Sequence, residues 1–259
     1  MSAALITGGA DRLGAAMARF LAARGFAVAV HYHSSEAKAA ALKADLEGQG
    51  ARAAALQADL LDEAQVTPLV ARAAQALGQP LTLLVNNASV FEYDTLQTGT
   101  RESWDRHIES NLRAPFVLSQ HFAAQAPEAR PDDNGEPMAR APIVNMIDQR
   151  VRKLTPEFAS YTIAKMGLWA LTQTAAQALA PHVRVNAIGP GPTLIGARQS
   201  ESHFARQRAN TVLQRGSNPS DITAALGYFL DAPAVTGQLI CTDGGQHLGW
   251  QTPDILGLE

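Results

Sequence analysis

Tyr161 and Lys165 stand four positions apart in the run IVNMIDQRVRKLTPEFASYTIAKMGLWAL, and Asp148 lies upstream of them. On a helix, that spacing places two side chains on one face, one turn from each other. A lysine ammonium beside a phenol favours the phenolate and lowers the tyrosine pKa. A tyrosine tuned in this way exchanges a proton with a substrate near neutral pH, which an ordinary tyrosine does poorly. A neighbouring carboxylate acts in the opposite sense, so Asp148, Tyr161 and Lys165 are expected to titrate as a coupled set. The apolar run at 143–147 reads as a buried strand that would deliver Asp148 to the mouth of a parallel sheet.

The elements that must position these residues follow from periodicity. Short apolar runs at 3–7, 27–31, 53–57, 81–85, 143–147, 184–188 and 238–242 read as strands. Alanine-rich amphipathic stretches at 13–24, 36–47, 64–77, 101–126, 161–180 and 219–230 read as helices between them. Strand-then-helix alternation implies right-handed crossovers and a parallel sheet covered on both faces. Seven strands and six helices suit one α/β domain over residues 1–259, a doubly wound seven-stranded parallel sheet. The stretch EARPDDNGEPMAR at 128–140 reads as a surface loop. The region 189–216 breaks the alternation; a lid over the ligand is favoured over a plain insertion, because it follows a strand end.

With 46% hydrophobic residues in 259, the chain can bury a sizeable core. A formal charge of -3 and no long basic stretch make nucleic acid and membrane surfaces poor partners. The single cysteine, Cys241, excludes an intrachain disulfide and reads as a buried, inert thiol. The opening MSAALITGG leaves no room for a signal peptide, and a cytoplasmic protein is expected. His107, His121, His182, His203 and His247 show no metal-ligand spacing; they read as surface or capping residues, and no catalytic metal is expected.

The first strand runs into Gly8, Gly9, Ala10, Asp11, Arg12, Leu13 and Gly14. Glycines between a first strand and a first helix permit a tight turn and close approach of backbone N–H groups to a pyrophosphate, which the helix start also favours. The second strand ends His31-Tyr32-His33-Ser34-Ser35, with no carboxylate until Glu36. An acidic residue there would suit the ribose hydroxyls of NAD; its absence favours NADPH, with Ser34 and Ser35 donating to the 2′-phosphate, helped by Arg12 or a histidine. Ser34 or Ser35 also reads as the N-cap of the next helix. Asp59, followed by Leu60, is placed to reach the adenine, or to cap or turn the chain.

TGGADRLG at 7–14, NNAS at 86–89, Asn111 in SNLRAPF, Tyr161-x-x-x-Lys165 and RVNAIGPGP at 184–192 together resemble the short-chain dehydrogenase/reductase superfamily over nearly the whole chain. The resemblance implies a Rossmann-type fold, a nicotinamide cofactor and a homotetramer. Arg12 replaces the usual third loop glycine and Asp148 the usual catalytic serine, and both replacements resemble the pteridine reductase branch. Its bacterial dihydromonapterin and dihydrofolate reductases are similar too. The resemblance makes Tyr161 the proton donor and gives Lys165 the nicotinamide ribose. It places Asp148 in a proton relay and Asn111 on a water in that relay. Phe91 would sandwich a pterin against the nicotinamide, beside Ser89, and Arg12 would contact the pterin edge and the phosphates. Asn87 and Ala88 would line the cofactor edge. Pro190, Gly191 and Thr193 would shape the surroundings of the nicotinamide amide, Thr193 also reaching for the pyrophosphate. An NADPH-dependent reductase of a dihydropterin-like C=N bond is expected. A ketone or aldehyde reductase that merely tolerates Asp148, and an NADPH-binding scaffold without turnover, are the alternatives. Trp250 and the tail after it are expected against a neighbouring subunit.

Overall fold

The computed structural model describes residues 2–196 and 198–251. Seven strands form one sheet: β1 (Ser2–Ile6), β2 (Phe26–Tyr32), β3 (Ala53–Gln57), β4 (Leu83–Asn86), β5 (Ala141–Met146), β6 (Val183–Pro190) and β7 (Leu239–Thr242). Their order is β3-β2-β1-β4-β5-β6-β7, and every pairing is parallel. Strand order reverses between β1 and β4, where Leu5 pairs Leu84 on one side and Ala29 on the other. Such a reversal opens a crevice beyond the strand C-termini, where ligands of open α/β sheets bind.

Period-two alternation distributes the core. Leu5, Leu84, Ile143 and Val185 pack on α3 (Leu69–Leu77), α5 (Ala114–Gln125) and α6 (Ala159–Ala178). Ile6, Val30, Val85 and Val144 face the other way, onto α1 (Arg12–Ala23), α2 (Glu36–Gly48) and α8 (Pro219–Asp231). Burial of both faces explains why the strands read as continuous apolar runs. No helix among the described residues is long and apolar enough to cross a membrane.

The structure departs from the sequence reading in several places; the expected helix at 64–77, for one, is broken at Thr67 and Pro68 into Glu63–Val66 and Leu69–Leu77. The expected helix at 101–126 is two helices, α4 (Arg101–Ile108) and α5, joined by a π-helical turn at Glu109–Arg113. That turn carries Asn111, and such bulges gather at functional sites. The polar part of the region after β6 contains a further helix, α7 (Glu201–Ala209), started by the Ser200 hydroxyl accepting from the His203 N–H. The loop at 128–140 holds a minimal hairpin, Arg130–Pro131 against Pro137–Met138, because Asp132 accepts from the N–H groups of Asn134 and Glu136. Trp250 is 61% exposed, and residues 252–259 lie outside the described residues.

Candidate active site

β5 ends at Met146, and two residues later Asp148 caps a single 3-10 turn, Gln149–Arg152, by accepting from the Arg150 N–H at 2.8 Å. The other carboxylate oxygen, Oδ2, accepts from Tyr161 Oη at 3.0 Å. Tyr161 lies in the first turn of α6, and Lys165 follows one turn later on the same face, only 1% exposed. The proposed acid, its partner carboxylate and the lysine are thus brought together, as the spacing implied.

Their electrostatics correct the sequence reading. The Tyr161 pKa is raised well above 10.0, not lowered, because burial removes water from the phenolate and Asp148 repels it. Arg150 and a Ser89 hydrogen bond oppose this without reversing it. Lys165 is not aimed at the phenol: Nζ donates to the Met146 carbonyl at 2.8 Å and stands 5.7 Å from the ring centroid. Burial pulls Lys165 down to about 8 while Asp148 pulls the other way. Asp148 keeps some exposed surface but is hemmed in by protein, and that desolvation raises its pKa against the opposing Arg150 N–H, Arg150 charge, Tyr161 and Lys165. Near neutral pH, Tyr161 is therefore a protonated phenol, a donor and not a base.

Upstream, a cleft of ≈ 470 Å³ runs along the switch point, within the size range of ligand sites. Gly8, Arg12, Leu13, Gly14, His31, His33, Asp59, Leu60, Asn87, Ala88 and Ser89 all line it. Gly8 has φ +58, and a Cβ on Gly14 would stand 2.3 Å from the Gly8 carbonyl, so the loop requires glycine at both positions. The first N–H groups of α1 have no partner within the helix and open toward the cleft. The capping carboxylate of Asp11 is held by Lys38, which lowers its pKa and offsets its charge at that helix start. Asn87 ties β4 to the loop, its Nδ2 donating to the Thr7 and Gly8 carbonyls at 2.9 and 3.0 Å. Depth, glycine loop and helix N-terminus together fit a dinucleotide.

Several residues hold other posts than expected. His31 is buried; Nδ1 accepts from the Gly8 N–H at 3.0 Å and Nε2 faces the Ala58 carbonyl at 3.1 Å. Burial pushes it down to about 4, so it is a neutral strut under the loop and no cation for a phosphate. His33 is exposed at the cleft rim, 3.8 Å from Asp59, whose other oxygen accepts from the Leu61 N–H. Ser34 and Ser35 are exposed; Ser35 occupies the N-cap of α2 without a side-chain cap bond. Arg12, at φ +51, lines the cleft and sends its guanidinium to the carbonyls of Ile195 and Leu194 at 2.8 and 3.1 Å, in the expected lid. Thr193 is buried, bonded to the Gly191 carbonyl and the Ser217 hydroxyl. Gly191 lets β6 pass β7: a Cβ there would stand 2.6 Å from that of Asp243, and Pro190 pairs Thr242. Asn111 grips the backbone of Val90 with both ends of its amide, at 2.8 Å each, and so holds the loop after β4.

Phe91 is no core residue: it is 44% exposed and meets Tyr161 edge-on at 4.6 Å between centroids. Sequence reasoning missed its stacking partner, Phe158, parallel to it at 4.4 Å. It also misassigned His107, which is wholly buried. His107 Nδ1 bonds the Ser160 hydroxyl at 2.7 Å and Nε2 accepts from the Glu92 N–H, while Ser160 donates onward to buried Asp94. This chain clamps the Phe91 loop to the start of α6, beside Tyr161. The only local signal was Ser160 next to the tyrosine. Cys241 is partly buried and pushed up to about 11, an unreactive thiol.

Sheet, glycine loop and Tyr–Lys pair define a class of nicotinamide-dependent oxidoreductase, and residues 2–205 match the family model described as short chain dehydrogenase. The chain belongs to the short chain dehydrogenase family. It is similar to the FolM alternative dihydrofolate reductase 1 of Brucella canis complexed with NADP, with 41% identity and TM-score 0.89 over 99% of this chain and 98% of that one. The corresponding Brucella suis structure, also with NADP, gives 42% identity and TM-score 0.91 over 98% of each chain. These neighbours match the pteridine reductase-like branch. A 3-oxoacyl-[acyl-carrier-protein] reductase of Staphylococcus aureus is 28% identical over 95% of this chain and 98% of that protein.

Proposed function

We propose that this protein is an NADPH-dependent reductase of a dihydropterin-like C=N bond. The observation that carries the reading is the bond from Tyr161 Oη to Asp148 Oδ2 at 3.0 Å, beside a half-open Phe91 ring. A flat heteroaromatic ring stacks favourably on Phe91 and is held face-on for reaction. A reduced nicotinamide held in the cleft along Gly8, Gly14 and Asn87 would supply hydride to the ring carbon. As carbon gains it, the ring nitrogen gains charge and becomes more basic than a phenolate, so proton transfer from Tyr161 runs downhill despite its raised pKa. Asp148, which is partly exposed, then takes up a proton from solvent and passes it to the Tyr161 phenolate, restoring the phenol. Lys165 places positive charge beside this pair, and the resemblance gives it the nicotinamide ribose.

Two observations support NADPH over NADH: the rim at His33, Ser34 and Ser35 carries no carboxylate of its own, and the Brucella neighbours are NADP complexes. We take Ser34 and Ser35 as donors to the 2′-phosphate, and the segment 189–216 as the lid, tied at present to Arg12. A homotetramer is supported by separate exposed apolar groups, Trp104, Phe116, Ile163 and Met166 on α4–α6 and Tyr228 and Leu248 elsewhere. Sedimentation of the pure protein as a monomer would remove that part. The test of function is NADPH oxidation by the purified enzyme with dihydropterins, dihydrofolate and small ketones. Turnover of ketones alone would favour the carbonyl reductase reading, which the likeness to the 3-oxoacyl reductase supports.

A further inference from the structure

We propose that Arg198 and Arg150 form an anion subsite beside the ring slot, so that the favoured substrate is a planar heteroaromatic whose tail carries a carboxylate or a phosphate. The inference rests on the reductase reading above and names the substrate class of the same site.

The two guanidiniums come from unrelated segments, the turn after β5 and the stretch between β6 and α7, yet both flank the Phe91–Phe158 stack. Arg198 lies 5.1 Å from the Phe91 ring centroid and 5.6 Å from that of Phe158. Arg150 lies 5.1 Å from the Phe158 centroid. Phe158 is held there by a left-handed backbone, φ +56, which a phenylalanine adopts only under constraint from its surroundings.

Neither cation is held in a salt bridge, although the charge of Arg150 acts on the nearby Asp148. Arg19, Arg24, Arg101, Arg106, Arg113 and Arg215 each pair with a carboxylate. Among the described residues, Arg150 and Arg198 have no such partner. Arg198 Nη2 donates to the Phe91 carbonyl at 2.7 Å, and Arg150 Nη1 to the Thr155 hydroxyl and the Glu157 carbonyl. Arg150 Nε is buried without an acceptor among the described residues. Carbonyls, a hydroxyl and ring faces thus orient both forks, and neither fork has a carboxylate in direct contact among the described residues. Two like charges flanking one aromatic stack repel, and an anion bound beside them offsets that repulsion. Fork-shaped donors suit a carboxylate or phosphate in two-pronged contact. A ring seated on Phe91 would bring its substituent to this place.

The test compares kcat/KM for three dihydropterins with NADPH: dihydrofolate (carboxylate tail), dihydroneopterin phosphate and dihydrobiopterin (neutral tail). In Arg198→Gln, the ratio of anionic to neutral kcat/KM is expected to fall about 10- to 100-fold, the worth of one or two charge-assisted hydrogen bonds. Arg198→Lys should recover only part of it, because the charge returns without the fork. Calorimetric titration of the NADP+-loaded protein with folic acid and with biopterin gives a readout without turnover and should show the same change. Whichever anionic tail shows the larger fall identifies the natural one. An unchanged ratio in Arg198→Gln, or no preference for either anionic tail in the native protein, overturns the subsite while leaving pterin reduction standing. Failure of all pterins to bind or react overturns the parent reading, and the subsite with it.

Discussion

Asp148 and the surrounding apolar packing act on Tyr161 in the same direction, and together they keep the phenol protonated. A side chain in that state donates during reduction, so its removal should strike turnover and spare binding. Tyr161→Phe is expected to lower kcat by about 100- to 10,000-fold with little change in KM, since the ring still meets Phe91. Steady-state NADPH oxidation measures it. Asp148→Ser separates the candidate chemistries: a pterin reductase loses proton return and falls, whereas a carbonyl reductase keeps or gains activity. Lys165 supplies a pH dependence. Its ammonium, held at about 8 by burial, is lost as pH rises through that value, and with it the positive charge beside the pair. We therefore expect kcat/KM to fall as pH rises through about 8. The same burial makes Lys165 a burden on stability. Its folded pKa lies below the usual 10.5, so at neutral pH the fold carries a desolvated charge. Lys165→Met should abolish activity yet stabilise the protein by up to roughly 3 kcal/mol, less the lost bond to Met146, as read by urea unfolding.

Elements were legible where the signal is local. Short continuous apolar runs gave all seven strands to within a few residues, and the Tyr–Lys spacing placed both on one helical face because periodicity acts over single turns. What escaped depends on partners far along the chain. The π turn is written in ESNLR, which contains no glycine or proline to mark it; Asn111 fits because Val90, 21 residues away, meets both ends of its amide. Arg12 finds its acceptor 183 residues on, and His107 its hydroxyl 53 residues on. Nothing in HYHSS distinguishes the buried first histidine from the exposed second. Burial of His31 has a measurable consequence. The unfolded chain binds its proton near 6.5 and the folded one only near 4, so stability is complete above about 6.5 and drains away as pH falls toward 4. The loss integrates to roughly 3 kcal/mol. His31→Asn keeps an acceptor for the Gly8 N–H and should flatten that slope. Urea unfolding at several pH values measures it, and an unaltered slope would assign the acid lability elsewhere.

At the scale of the whole molecule, parallel strands deliver everything to one edge. Gly8 after β1, His31 and His33 at the end of β2, Asp59 after β3, Asn87 after β4 and Asp148 after β5 all stand at strand C-termini, on both sides of the β1–β4 reversal. A ligand lying along that edge touches segments from both halves of the sheet and therefore reports on global unfolding. With binding to the folded form only, NADP+ at about a hundred times its Kd adds about 2.7 kcal/mol. For a domain of this size that raises the thermal midpoint by roughly 5–10 °C. NAD+ at the same concentration should raise it less if, as proposed, Ser34 and Ser35 donate to the 2′-phosphate. Ser34→Glu restores negative charge at that rim and should reverse the order, repelling the phosphate by an amount that shrinks with added salt. Because Ser34 is exposed, the variant should fold as the native chain does. Equal midpoints with the two dinucleotides, or an order that Ser34→Glu leaves intact, would place cofactor choice away from the end of β2.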